Sequence, residues 1–115
     1  MVTLPLLYQT QIRKATREDL PSLEWDGEFT HFRRLFAEAY RYTETGEALM
    51  WVAEQIDTGI IGQLFVLMES LNTTLADGHT RAYIYGFRVR PAYRGAGVGS
   101  RLLQTAETDL ARRGI

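Results

Sequence analysis

Between Arg94 and Ser100 the chain reads Arg-Gly-Ala-Gly-Val-Gly-Ser, five residues with almost no side chain between an arginine and a serine. Glycines at that density let backbone N–H groups come close to a ligand. An apolar stripe starts at once, with Val98, Leu102, Ala106 and Leu110 in line and Leu103 beside them, so a helix begins inside the run. Its unpaired N-terminal N–H groups and the positive end of its dipole favour an anion. Arg112 and Arg113 suit the other end of the dipole, and Gly114 suits the residue after the cap. The chemistry on offer is therefore a phosphate cradle.

The strand leading into the cradle spans 81–89, with Tyr83, Tyr85, Phe87 and Val89 alternating onto one face. Pro91 ends the ladder because it has no N–H to donate. Two other glycine motifs compare poorly. A P-loop ends in Gly-Lys-Ser/Thr, and Val98-Gly99-Ser100 has no such lysine. A dinucleotide fingerprint needs an acidic residue roughly 20 positions on, which falls beyond Ile115.

Arg94-Gly95-Ala96-Gly97-Val98-Gly99 resembles the Q/R-x-x-G-x-G/A signature of the GCN5-related N-acetyltransferases (GNAT). Val89-Arg90-Pro91-Ala92-Tyr93 before it and Leu102-Leu103 after it resemble the same family. The resemblance implies an α/β (α+β) chain with a mixed, mainly antiparallel sheet flanked by helices, the acyl-CoA N-acyltransferase fold. It covers residues 11–115 after a lead-in at 1–10, with the C-terminal part of the domain absent, so the expectation is a chain either stabilised by self-association through the open edge of the 81–89 strand or marginal on its own.

The activity implied is transfer of an acetyl group from acetyl-CoA, the cosubstrate, to a primary amine without a covalent enzyme intermediate. The amine is carried by a small molecule or a peptide. The noncatalytic alternative is a CoA-binding or protein-interaction module. By resemblance, backbone N–H groups of Gly95, Ala96, Gly97, Val98 and Gly99 hold the pyrophosphate, with Arg94 in the motif's polar first position. The main chain of Phe87 and Val89 pairs with the pantetheine arm, and the Val89 N–H polarises the thioester. Arg90 and Arg101 are candidates for the outer phosphates. The histone-modifying members carry a glutamate base where this chain has Tyr83, and a tyrosine with its ordinary pKa near ~10 is a poor base at neutral pH. Glu54 and Glu69 are the alternatives, beside a chain of waters. Trp25, Asp26 and Glu28 border the acceptor side by the same resemblance.

The remaining chain must hold these residues in place. Its 115 residues suit one domain. Strand 11–15 leads to a short helix at 17–25, opened by Thr16 and Asp19 and made uncertain by Pro21. A second helix over 28–42 carries Phe29, Phe32, Phe36 and Tyr40 on one side, with Leu35 and Ala39 adjacent. Strands 49–55 and 60–68 flank a turn at Ile56-Asp57-Thr58-Gly59. Gly62 inside the second marks a bulge or a close backbone approach, and by the resemblance Gly86 allows the bulge that splays the 81–89 strand from the next one. Residues 69–80 read as a polar connection.

Composition narrows the partners. There is no cysteine, and neither His31 nor His79 has a companion at metal-ligand spacing, so no metal site is expected. No apolar run reaches the roughly 20 residues of a membrane span, and no signal peptide is evident. A cytoplasmic setting is the expectation. Seven arginines face only Glu107 and Asp109 from residue 81 onward, whereas the first eighty residues carry six basic and twelve acidic groups. Positive charge gathers round the cradle, and the acidic remainder argues against nucleic acid and for a small polyphosphate.

Overall fold

The computed structural model describes residues 9–23, 33–68 and 82–115. Among them the order is β1 (Thr10–Lys14), a 3-10 helix (Arg17–Leu23), α1 (Arg33–Glu44), β2 (Ala48–Gln55), β3 (Gly59–Leu67), β4 (Tyr83–Val89), a 3-10 turn (Pro91–Tyr93) and α2 (Val98–Arg112). The four strands form one sheet in sequence order, and every pairing between them is antiparallel. This is the expected α+β arrangement of an antiparallel sheet with helices on its faces.

β2 and β3 are buried on both faces, which explains why they read as nearly continuous apolar runs. Leu49, Trp51 and Ala53 of β2 join Ile61, Leu64 and Val66 of β3 beneath α2. Met50 and Val52 turn the other way, with Ile60 and Phe65, toward α1. The expected stripe of α2 is the buried one, Val98, Leu102, Ala106 and Leu110. Gly59 closes the β2–β3 hairpin at φ 97°. Both features anticipated at Gly62 are present. The register slips beside it, after Ala53, and a Cβ at Gly62 would stand 3.0 Å from Leu102 Cδ1. The missing side chain lets α2 lie down on the sheet.

Three expectations need correction. Phe36 and Ala39 of α1 are buried, but Leu35 is 55% exposed, because its position on the helix turns it to the solvent side. The segment after Thr16 is a 3-10 helix ending at Leu23, with Pro21 inside it. Asp19 takes the N–H of Thr16 at 2.7 Å, the reciprocal half of the expected cap. Tyr83, Tyr85, Phe87 and Val89 do not share a face. The register of β4 shifts by one residue between Tyr85 and Arg88, where Gly86 has φ 60°. Tyr83 and Tyr85 stay with the α1 side, while Phe87 and Val89 come to lie against Gly99 of α2. One extra residue reverses the side-chain alternation beyond it.

Candidate functional site

The glycine run forms the turn from β4 into α2. Gly95 and Gly97 take φ values of 83° and 88°, conformations that residues with a Cβ rarely adopt. Gly97 is the N-cap of α2 and offers no capping side chain, so the first-turn N–H groups are left for a ligand. Arg101 N–H donates to Gly97 O at 3.0 Å and starts the helical ladder. A groove of about 470 Å³ opens here, lined by Val89, Tyr93, Arg94, Gly95, Gly97, Val98, Gly99 and Ser100. The first turn of α2, an end that favours anions by its dipole, and the β4 terminus thus meet in one concavity, of a size that suits a small ligand. Ser100 is the addition to the expected set. Its signal was a hydroxyl in the first helical turn, next to the glycine run.

β4 supplies the wall. It pairs with β3, and among the described residues its other edge has no strand. Val89 stands opposite Gly62, while Arg90 N–H donates to Ile61 O at 2.8 Å. Residues of an antiparallel strand turn their N–H and C=O alternately toward and away from the partner. Val89 therefore turns both groups to the free edge. Its carbonyl accepts from Arg94 Nε at 3.0 Å. Phe87 is 43% exposed and lies beside Gly99, where an added Cβ would be 3.5 Å from its ring.

The bulge is itself packed. A Cβ at Gly86 would stand 2.7 Å from the Phe65 ring, and Gly86 O accepts from Gln63 Nε2 at 3.0 Å. On the α1 side of this point Tyr83 stacks on Tyr85 with centroids 5.9 Å apart, and Tyr85 meets Phe65 edge-on at 5.5 Å. Burial pushes the Tyr85 hydroxyl above its ordinary pKa. Tyr83 and Val89, the two residues singled out for chemistry, are six positions apart on opposite faces, about 20 Å along the strand at roughly 3.3 Å per residue.

The other expected residues disperse. Glu54 lies on β2, with β3 between it and β4, and its carboxylate takes Arg13 Nε at 3.1 Å. Arg13 also holds Asp19 through two hydrogen bonds of 2.7 and 2.9 Å, which keep that carboxylate down at about 2. Arg101 lines a different groove, between α2 and the β1–β2 part of the sheet, beside Ile12 and Trp51. Trp25, Asp26, Glu28, His31, Glu69 and His79 lie outside the described residues. Among the described residues no cluster of histidine, aspartate and glutamate is placed to hold a metal ion, and no helix is long and apolar enough to cross a membrane.

Comparison with known proteins gives this geometry a context. The profile of the acetyltransferase (GNAT) family matches residues 10–115. An acetyltransferase of Vibrio fischeri superposes with a TM-score of 0.67 at 28% identity, over 91% of this chain and 89% of that one. An acetyltransferase of Trypanosoma brucei gives 0.70 at 23% identity, over 91% of this chain and 77% of that one. A predicted acetyltransferase of Clostridium acetobutylicum, solved with acetyl-CoA, gives 0.68 at 18% identity, over 92% and 76%. No curated protein matches the chain.

Proposed function

This chain belongs to the acetyltransferase (GNAT) family, and on that premise we propose that it transfers an acetyl group from acetyl-CoA to a primary amine by direct attack. The observation that carries the reading is the outward-facing Val89 N–H in the same groove as the glycine run. Acetyl-CoA supplies an activated thioester. First-turn N–H groups of α2 and those of Gly95 to Gly99 bind its pyrophosphate, with Arg94 adding positive charge. The free edge at Phe87 and Val89 receives the arm as an added strand. The Val89 N–H then faces the carbonyl oxygen and stabilises charge that develops there as the neutral amine attacks; the C–N bond forms, the C–S bond breaks, and CoA leaves as its thiol with the proton that the amine gives up. Tyr83 is exposed on the α1 side of β4, about 20 Å along the strand from Val89, and is given no part in this step.

Fit rests on the cradle itself. Gly95 has a positive φ and open space where a Cβ would be, and Gly97 leaves the helix end uncapped by any side chain. Titration calorimetry with acetyl-CoA, with NAD as the control, tests the reading. Saturable binding of acetyl-CoA alone is expected, together with thiol release across a panel of primary amines. Gly97→Glu places a carboxylate where phosphate would sit and abolishes both. Binding of NAD in preference to acetyl-CoA would overturn the proposal.

A second reading, a noncatalytic CoA-binding module, draws on one observation. Among its described residues β4 carries no carboxylate, and Tyr83 stands at the position of the family's glutamate base. Binding with no turnover of any amine would select it.

A further inference from the structure

The residues of the glycine run do little to hold themselves in place. Gly95, Ala96 and Gly97 are exposed, and a Cβ at Gly95 would meet nothing within 4 Å. The run is fixed at its two ends. Val98, at the far end, is buried under α2. At the near end Tyr93 packs against the same core, and its hydroxyl lies 2.9 Å from Thr58 Oγ1. Thr58 sits 35 residues earlier in the chain, at the tip of the β2–β3 hairpin.

Hairpin tips are ordinarily where a chain tolerates change. This tip is held from within. Gln55 is buried, and its Oε1 accepts from the N–H groups of Asp57 at 2.8 Å and Thr58 at 2.7 Å. Its Nε2 donates to Gln9 Oε1 at 3.1 Å. Thr58 is therefore presented to Tyr93 from a rigid support. Tyr93 immediately precedes Arg94 and Gly95, so the hydroxyl pair adds a long-range tie at the start of the run to the local ones, Tyr93 N–H on Arg90 O, Arg94 N–H on Pro91 O and Arg94 Nε on Val89 O.

We infer that Thr58 is a positioning residue for the anion cradle, acting through the Tyr93 hydroxyl. The inference rests on reading the cradle as the acyl-CoA pyrophosphate site. Both hydroxyls are neutral and the contact is exposed, so the effect belongs to the placement of the loop and not to global stability. A neutral hydrogen bond of ordinary strength corresponds to about a three- to tenfold change in an equilibrium constant.

The test uses Thr58→Val, Tyr93→Phe, the double variant and Thr58→Ser. Kd for acetyl-CoA is read by calorimetry, kcat and KM by thiol release, and loop opening by hydrogen exchange at Gly95 to Gly99. Each single variant should raise Kd and KM about three- to tenfold with kcat and Tm unchanged. The double should be no worse than either single, Thr58→Ser should restore the parent values, and exchange should quicken in Thr58→Val without ligand. Kd within twofold of the parent in both singles, or a double whose effect is the product of the two, would overturn the inference. If the parent itself does not bind acetyl-CoA, the function proposed above fails, and exchange alone judges the brace. Faster exchange in Thr58→Val then supports it, and unchanged exchange overturns it.

Discussion

On the α2 face of the sheet, apolar side chains make the centre of the contact, with Val98, Leu102, Ala106 and Leu110 closing over Leu49, Trp51, Leu64 and Val66, and Lys14 Nζ stands 5.7 Å from the Trp51 ring centroid. The α1 face has an apolar centre as well, Phe36, Met50, Val52 and Phe65, but polar links border it. Arg13 bridges Asp19 and Glu54, and Thr16 leans on Asp19. Arg88 joins Gln63 Oε1 and the Leu23 carbonyl. The face that carries the cradle thus depends on shape. The opposite face adds polar links to its apolar centre, some local, as Arg13 to Asp19, and some between residues distant in sequence, as Arg13 to Glu54 and Arg88 to Gln63. Shape suits a helix whose first turn must stay at a fixed distance from β4, because close-packed side chains deform little.

The comparison breaks most sharply at Leu102. Leu102→Ala should destabilise the fold by about 2–5 kcal/mol in urea titration, since the side chain is fully buried and its removal leaves a cavity above Gly62. A loss below about 1 kcal/mol would show the face collapsing to fill the gap, against the rigid packing argued here. Gly86→Ala comes next, at about 2–3 kcal/mol, from overpacking against the Phe65 ring and a positive φ. It should also disturb acetyl-CoA binding, because the bulge sets which way Phe87 and Val89 turn. Stability loss with unchanged affinity would separate bulge from site.

The smallest effect lies on the polar face. Asp19→Asn should cost about 1.5–3 kcal/mol at neutral pH, the usual range for a hydrogen bond to a charged group, and less to the extent that the asparagine keeps a partner. The pH dependence has a definite sign. Asp19 is held down to about 2 from an ordinary 3.8, chiefly by the hydrogen bond from Arg13, so its stabilisation is complete above about pH 4 and fades as pH falls toward 2. Acid titration of the parent should show this loss, and Asp19→Asn should not. Equal acid limbs in the two proteins would mean that the Arg13 bridge contributes nothing to folding.

Much of this was legible in the sequence where the signal is local. The α2 stripe follows from the 3.6-residue period, and the Gly59 turn from a residue that accepts positive φ. The Arg94–Gly99 run pointed to an anion cradle, and the residues round the groove now include five of those six. Reading failed where a single extra residue changed the outcome. Strict alternation put Tyr83 and Val89 on one face, and the bulge at Gly86 separated them. Gly86 is a bulge signal, yet a glycine does not say in which register the partner strand will meet it. Glu54 was a plausible base by residue type, but Arg13, forty-one residues earlier, had already engaged it.

The sequence by itself determined most of the elements, the face of α2 that would be buried and the glycine turn that leads into it, because periodicity and glycine density act within a few residues. Tertiary structure alone decided that Val89 turns its N–H away from β3, that Tyr83 faces the α1 side and that Thr58 reaches Tyr93. Each of these depends on strand register or on a contact across tens of residues. Such pairings are settled by the packing of whole elements against each other, and no local pattern encodes them.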